Sequence, residues 1–510
     1  METEFKFHIP TERLAEVEAE LRQGVVQRTR MQARYFDTPA GALAAAGMAL
    51  RLRKEGRRWV QTVKAAGHGL LQRLEHNADL GAARAADLRR PDLLRHRDTP
   101  VGERLLQVLQ AAGEELVETY ATDIWRLTRE IHHAGARVEL ALDVGKIVAQ
   151  SPPGGPLRVA PVCELELELL QGPLGGLVDL SARWAQRHGL WLGTVSKAER
   201  GERLMKGIAQ VPAIKAEAPR FGDGTAPDGA ALQRLVIAAC LAQVLPNASE
   251  IAEGSEDAEQ IHQLRIGLRR LRTALRELGP LAPGLDPAWD APIRRTFGAL
   301  GAQCDRAQVL AESRRWMEDA DAPTLTLPAA ADVPTPAAAV RDPGFQAVLV
   351  ALAGRAAEDP AEPLAAEPAA AATLDADATL AHLRERLRRL HRRSLRDAER
   401  FDQLDDRQRH RIRKRLKRLR YLAEFVAPLL GDSRTARYLD QLRPAQDALG
   451  LFNDQVTARR LYEQAAQQDA HAWFAIGWLA ARQPRTAKKA GKALRRLADA
   501  PKFWKGRRKG

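Results

Sequence analysis

METEFKF (residues 1–7) places Glu2, Glu4 and Lys6 at alternate positions, with Thr3, Phe5 and Phe7 between them. Side chains of a β-strand point to opposite faces with a period of two, so the spacing predicts a strand with three charges on one face and aromatics on the other. Two carboxylates on one strand face stand roughly 7 Å apart and repel each other unless a cation or water lies between them. Taken alone, these residues favour a solvated outer face, because a half-exposed strand has the same pattern.

Short alternating segments broken by Gly and Pro continue to about residue 205, among them GMALRLRKEG (47–56), RRWVQTVKAAG (57–67), ARVELALDVG (136–145) and CELELELLQG (163–172). This reads as a mostly antiparallel sheet. The charges fall in phase: Arg51 and Arg53; Lys64; Arg73 and Glu75; Arg137, Glu139 and Asp143; Glu164, Glu166 and Glu168. Val138, Leu140 and Leu142, and then Leu165, Leu167 and Leu169, take the opposite face. If the apolar faces pack on helices, such as the amphipathic stretch 11–21, the charged faces can curl toward one another into a barrel with a polar lumen. Open, solvated strands would mix both signs on every strand. Here the first strand and the 164–168 strand are acid-rich, whereas the 51–53 and Lys64 strands are basic. Carboxylates bind Mg²⁺ or Mn²⁺ and guanidinium forks grip phosphate, so one lumen could hold both.

E-T-E-F-K fits the E-x-E-x-K motif of the CYTH family, the triphosphate tunnel metalloenzymes. YFDTPAGALAAAGMALRLR (35–53), QTVK (61–64), GLLQRLEHN (69–77), CELELELLQG and SKAERG (196–201) resemble that family's successive blocks, over nearly all of residues 1–205. The resemblance implies an eight-stranded antiparallel tunnel with flanking helices that cleaves triphosphates using Mg²⁺ or Mn²⁺. By the same resemblance Glu2, Glu4, Glu164, Glu166 and Glu168 would hold metal, with Asp143 and Glu75 as metal or supporting groups. Lys6, Arg51, Arg53, Lys64, Arg73, Arg126, Lys197 and Arg200 would cradle the phosphates and offset charge on the transferring group. The block pattern is most similar to bacterial inorganic triphosphatases. Thiamine triphosphate, or ATP cyclised to cyclic AMP, would need apolar and aromatic groups at the mouth. The sequence shows no clear set, although Tyr35, Trp59 and Trp125 keep that question open.

The chain has 510 residues, enough for two or three domains, and a formal net charge of +14 that calls for a polyanionic partner. Residues 1–210 hold 30 Lys+Arg against 27 Asp+Glu, so most of the excess lies beyond them. Residues 206–227 have the turn-rich composition of a linker, and 228–505 read as an all-α domain. An Ala/Pro-rich stretch at about 320–375 reads as a partly disordered excursion between helices. No uninterrupted apolar run reaches the roughly 20 residues of a membrane span, and the N-terminus does not resemble a secretory signal. The expected setting is the cytoplasm, without a membrane partner. Cys163, Cys240 and Cys304 are isolated and read as buried thiols.

IHQLRIGLRRLR (261–272) and RHRIRKRLKRLR (409–420) align on His262 and His410, matching Arg265 with Arg413, Arg269 with Lys417, Arg270 with Arg418 and Arg272 with Arg420. GAQCD (301–305) and GLFND (450–454) repeat at nearly the same offset. This predicts a duplication into two helical bundles with pseudo-two-fold symmetry. At about 100° per residue, His262, Arg265, Arg269 and Arg272 form one stripe, bordered by Ile261, Leu264, Leu268, Leu271 and Leu275. A stripe beside the buried face suits a groove wall, whereas an ordinary solvated charge run would lie opposite it.

These stripes and their flanks resemble the CHAD family, the conserved histidine α-helical domain. The resemblance implies that the two stripes contact inorganic polyphosphate, with Arg270 and Arg418 flanking, and an association with polyphosphate granules. Cys304 departs from the family's usual Arg before Asp305; the second half keeps Asn453–Asp454. Two other readings remain: a pure binding protein with an inactive tunnel, and a nucleic-acid binder using the basic helices and the tail 485–510. Tyr421 is nearly the stripes' only aromatic, so stacking on bases is not favoured.

Overall fold

A computed structural model describes residues 2–67, 71–82, 90–150, 155–222, 226–325, 333–359, 373–396, 398 and 400–505; the side chains of residues 66, 72, 73 and 303–308, Arg73, Cys304 and Asp305 among them, lie outside that set. Nine strands form one antiparallel sheet: β1 Glu2–His8, β2 Gln27–Asp37, β3 Met48–Glu55, β4 Arg58–Ala66, β5 Gln72–Gly81, β6 Val117–His133, β7 Ala136–Gln150, β8 Leu157–Gln171 and β9 Trp191–Leu192. Their order is β5-β4-β3-β2-β6-β7-β8-β1-β9, and β5 also pairs with β1. That seam is short, with Glu2 opposite Arg73 and Thr3 opposite Gln72, whereas the other neighbours among β1 to β8 form longer ladders. Eight strands thus follow the expected tunnel, and the ninth is a two-residue addition beside Phe7 and His8.

The register explains the opening alternation. Phe5 lies opposite Leu167 and Phe7 opposite Leu165, all four buried in the core. Glu4, Lys6 and His8 therefore lie opposite Glu168, Glu166 and Glu164 on the other face. Burying the aromatic row fixes which face carries the charges, because a one-residue slip would exchange the two sets.

The chain divides into two compact units: 1–214 with 241–260 and 340–366, and 215–240 with 261–339 and 367–510. Two stretches beyond the linker thus belong with the sheet. One lies in the Ala/Pro-rich stretch, where FQAVLVALA (345–353), apolar except for Gln346, forms the core of helix Pro343–Ala357. This helix packs on helix Leu174–His188, with Gly354 against Val178. The reading of 320–375 as an excursion is corrected there: nearly continuous apolar character requires burial on all sides, which an Ala/Pro count does not reveal. Residues 326–332 and 360–372 lie outside the described set.

The second unit is helical, including Ala258–Leu278, Asp290–Glu318, Asp406–Leu430, Asp432–Ala465 and Ala472–Asp499. Each basic stripe lies on one long helix, and the second repeated motif on the helix that follows. Asp405 and Gln408 close a capping box at the start of Asp406–Leu430, fixing where that stripe begins. Leu264, Leu268 and Leu271, like Leu416 and Leu419, are buried beside the bases. Helix Gly229–Ala252 alone among the described residues is long and apolar enough to cross a membrane, and 67% of its apolar window is buried in the fold, as in a core helix.

Candidate active site

The inward faces of the sheet line a cavity of about 720 Å³. Glu2, Glu4 and Lys6 enter it from β1; Tyr35 from β2; Arg51 and Arg53 from β3; Lys64 from β4; Glu75 from β5; Arg126 from β6; Asp143 from β7; and Glu166 and Glu168 from β8. Lys197 joins them as the first residue of helix Lys197–Lys206. That helix lies close because residue 201 is glycine: a Cβ there would come within 2.2 Å of the Tyr120 ring.

Two acidic groups differ in how they are neutralised. In the first, Asp143, Glu164 and Glu166 bring carboxylate oxygens within 4.8 Å of one another. Arg126 grips both oxygens of Asp143 at 2.6 Å and reaches Glu166 at 2.5 Å. Lys197 Nζ meets Asp143 at 2.7 Å and Glu166 at 2.8 Å, and also contacts Glu164. Burial would raise Glu166 and Asp143, but the adjacent cations hold both below the ordinary carboxylate range. The same acids outweigh the burial of Lys197 and hold its ammonium above its usual range.

The second group runs along one row of the ladder, Glu4 opposite Glu168 and Glu168 opposite Glu139, with Glu2 next on β1. Burial raises Glu168, and the charges of Glu4 and Glu139 add to it. Burial raises Glu139 too, with Arg126 only partly offsetting it. Glu2 is pushed up to about 7 by burial and then by its hydrogen bond with Glu75, against the pull of Lys64 at 3.2 Å. Glu75 contacts Lys64 as well; burial would raise it, yet Lys64, Glu2 and Arg51 bring it down to about 2. Like charges directly opposite each other destabilise a sheet, and hard oxygen donors in this arrangement fit a divalent cation. Asp143, Glu164 and Glu166 are the tighter geometric group, but Arg126 and Lys197 already occupy them. The fit to a metal is therefore better at Glu2, Glu4 and Glu168.

Among the remaining bases, Arg53 is brought down to about 10 by burial and then by Arg51 beside it. Arg51 Nη1 donates to the Tyr35 hydroxyl at 3.4 Å, and Lys6 Nζ to the Val195 carbonyl. Arg200 lies apart from the cavity lining, donating to the Pro161 carbonyl at 2.5 Å and standing 3.6 Å from Glu164.

The helical unit has its own cavity, about 1900 Å³, lined by both stripes: His262, Arg265, Arg269 and Arg272 from one, His410, Arg413, Lys417 and Arg418 from the other. Arg265 and Arg269 stand over the Phe297 ring at 5.2 and 5.6 Å. Arg272 is gripped by Asp290 at 2.6 Å. Two predicted contacts are not brought to this wall. Arg270 is buried against Phe425 and bonded to Glu424 and the Glu217 carbonyl; Arg420 bonds Glu424 at 2.6 Å.

Residues 1–201 match the family model of the CYTH domain and residues 235–463 that of the CHAD domain. The chain carries a CYTH domain followed by a CHAD domain. A stretch of 176 residues is 27% identical to an inorganic triphosphatase of Haemophilus influenzae, covering 33% of this chain and 44% of that protein, so the chain spans less than half of its relative. The crystal structure of the CHAD domain from Ricinus communis is 25% identical, with a TM-score of 0.40, covering 56% of this chain and 96% of the other. A Hippeastrum protein, described as a putative adenylyl cyclase with a dominant triphosphatase activity, is 16% identical, with a TM-score of 0.31, over 41% of this chain and 96% of the other.

Several lining groups were missed from sequence. Tyr120, Thr122 and Asn77 line the cavity without a charge to draw notice. In the CHAD domain, Arg409, Lys414 and Arg460 also line the groove. Arg409 stands over both Phe401 and Phe452, a pairing that only tertiary structure creates.

Proposed function

We propose that the CYTH domain hydrolyses inorganic triphosphate to diphosphate and phosphate with Mg²⁺ or Mn²⁺, and that the CHAD domain binds inorganic polyphosphate, in the cytoplasm and at polyphosphate granules. The observation that carries the reading is the single cavity that sets Glu2, Glu4 and Glu168 among Arg51, Arg53, Lys64 and Arg126. Glu2, Glu4 and Glu168 would hold the divalent ion. When bound, the ion supplies a Lewis acid and a water of lowered pKa. Arg51, Arg53, Lys64 and Lys6 bind the phosphate oxygens and align the chain of anhydrides. Arg126 and Lys197 stay within their carboxylate cluster and offset the repulsion that Asp143, Glu164 and Glu166 would otherwise exert on a bound anion.

Inorganic triphosphate is favoured over an organic one by the disposition of the aromatics. Tyr35 is only 3% exposed and stacks on Tyr120 at 4.7 Å; Trp59 lies in the core beneath the sheet. Trp125 occupies the face opposite Arg126, covered by Arg28 at 4.2 Å. Trp125 is exposed, but on the face away from the cavity, so none of the three offers an open ring to a base or thiazole inside it.

Phosphate release from triphosphate, ATP, thiamine triphosphate and long-chain polyphosphate, with either metal, tests the proposal. Triphosphate should turn over fastest, and Glu4→Gln should lower its rate by about 100-fold or more. Equal rates in both proteins would remove Glu4 from the site, and a wild type inert toward triphosphate would reduce the CYTH domain to a binding module.

A further inference from the structure

Lys197 has to be placed within reach of three carboxylates at once, and its placement is set by where its helix starts. Ser196 caps that helix by accepting from the Glu199 amide. Before it comes β9, a strand of only two residues, held on one side by β1 through Phe7 and His8 and through the Gly193 amide on the Lys6 carbonyl at 2.9 Å. Two residues of ladder give little stability to a segment carrying a buried cation.

The other side of this segment is held by Gln346, which accepts from the Leu192 amide at 2.9 Å, by Arg341 over the Trp191 ring at 4.1 Å, and by one turn of chain from within the CHAD match. The Thr194 amide donates to Ser249 Oγ at 3.2 Å. Arg203, on the Lys197 helix, donates to Glu250 at 2.6 Å. Trp191 Nε1 donates to Glu253 at 2.9 Å, and His8 Nδ1 lies 3.3 Å from the same oxygen. Ser249 is 1% exposed. The join is tight: a Cβ on Gly193 would come within 2.5 Å of the His8 ring. These contacts all lie within the unit that contains the sheet, to which residues 241–260 belong.

We propose that Ser249, Glu250 and Glu253 are positioning residues for Lys197: they clamp the 191–203 segment so that the ammonium stays among Asp143, Glu164 and Glu166 during turnover. The proposal rests on the triphosphatase reading. It makes a stretch of the CHAD match part of the CYTH domain's working structure. Losing the clamp should act on the reacting geometry more than on substrate capture, because Lys197 faces the acids while other bases hold the phosphates.

The test uses the full chain carrying Glu250→Ala with Glu253→Ala, alone and combined with Lys197→Met. The pair should lower kcat for triphosphate by about 10-fold while KM moves less than about 3-fold. In the Lys197→Met background the same pair should change kcat less than about 2-fold, because residues acting through one group are not additive. Glu250→Gln with Glu253→Gln, which keeps the acceptors, should restore most of the rate. Hydrogen exchange of amides 193–203 should quicken in the alanine pair, a readout independent of turnover. A 10-fold loss that persists without Lys197, or unchanged exchange, overturns the clamp. If the wild type releases no phosphate from triphosphate, the activity reading falls and the clamp is judged on exchange alone: faster supports it, unchanged overturns it.

Discussion

The tunnel and the helical groove are both built from arginine and lysine, yet they balance positive charge to different degrees. In the tunnel the central bases touch acids: Lys197 meets three carboxylates, and Arg126 and Lys64 two each. In the groove Arg265 and Arg269 lie over Phe297, and Arg409 over Phe401 and Phe452. An aromatic face orients a guanidinium and leaves its charge in place, whereas a carboxylate cancels it. The tunnel is thus an internally balanced lattice into which a metal and a small anion fit together. The groove pairs some bases as well, Arg272 with Asp290, Arg409 with Asp406 and Arg418 with Glu277, but bases outnumber acids along its wall, which suits a long polyanion.

The sharpest way to break this contrast is to remove one base from each region. Arg126→Met leaves Asp143, 1% exposed, and Glu166 with one fewer partner. Breaking a buried pair on one side costs about 3–5 kcal/mol, so urea unfolding should show a loss of that order. Arg413→Met in the groove should cost about 1 kcal/mol or less and instead weaken polyphosphate binding. Equal stability losses would mean that the groove bases are structural, as the tunnel bases are.

Much of the tunnel was legible because alternation over β1, β3, β4, β7 and β8 assigns each charge to a face, and the aromatic row Phe5 and Phe7 says which face is buried. Which acid meets which base was not legible, since Arg126 with Asp143 and Glu166, or Lys197 with Glu164, depends on register between strands and on the start of a helix. In the groove, the stripes were readable from a 100° wheel, but Arg420 proved to be committed to Glu424, and the flanking Arg270 to Glu424 and the Glu217 carbonyl. Glu424, four residues after Arg420, is a local signal that could have been read. Asp290, which grips Arg272, lies on another helix and could not. The turn at 249–253 shows the same limit, because its partners are about 50 residues away or more and its own sequence carries no motif.

Salt should separate the two regions next. A polyanion lying along several bases releases counter-ions as it binds, so polyphosphate affinity should fall roughly 100-fold or more between 50 and 200 mM salt. Triphosphate hydrolysis takes place among charges already paired and partly enclosed, and kcat should change by less than about 3-fold over the same range. Titrations of polyphosphate binding, run beside phosphate-release assays at each salt concentration, check this. Parallel slopes would indicate that polymer and triphosphate share one site.

The last effect, read only on the acid side, comes from a feature both regions share, a buried neutral imidazole. In the tunnel unit, burial and then His76 bring His96 down to about 4; its ring bonds His76 at 2.8 Å and Gln61 at 2.9 Å. In the helical unit, burial and then Lys502 bring His391 down to about 4, with Tyr438 at 2.8 Å. Both folded values lie below the unfolded value near 6.5, so the unfolded chain binds more protons in between. The stability each neutral ring contributes is therefore full above about pH 6.5 and is lost as pH falls toward 4. The full fall from near 6.5 to about 4 corresponds to roughly 3 kcal/mol per ring. Denaturation followed region by region with hydrogen exchange should show this acid limb in both units. His96→Gln should flatten it only in the sheet unit, and His391→Gln only in the helical unit. Either variant flattening both limbs would show that the two units unfold as one cooperative body, and their contrast would then be electrostatic alone.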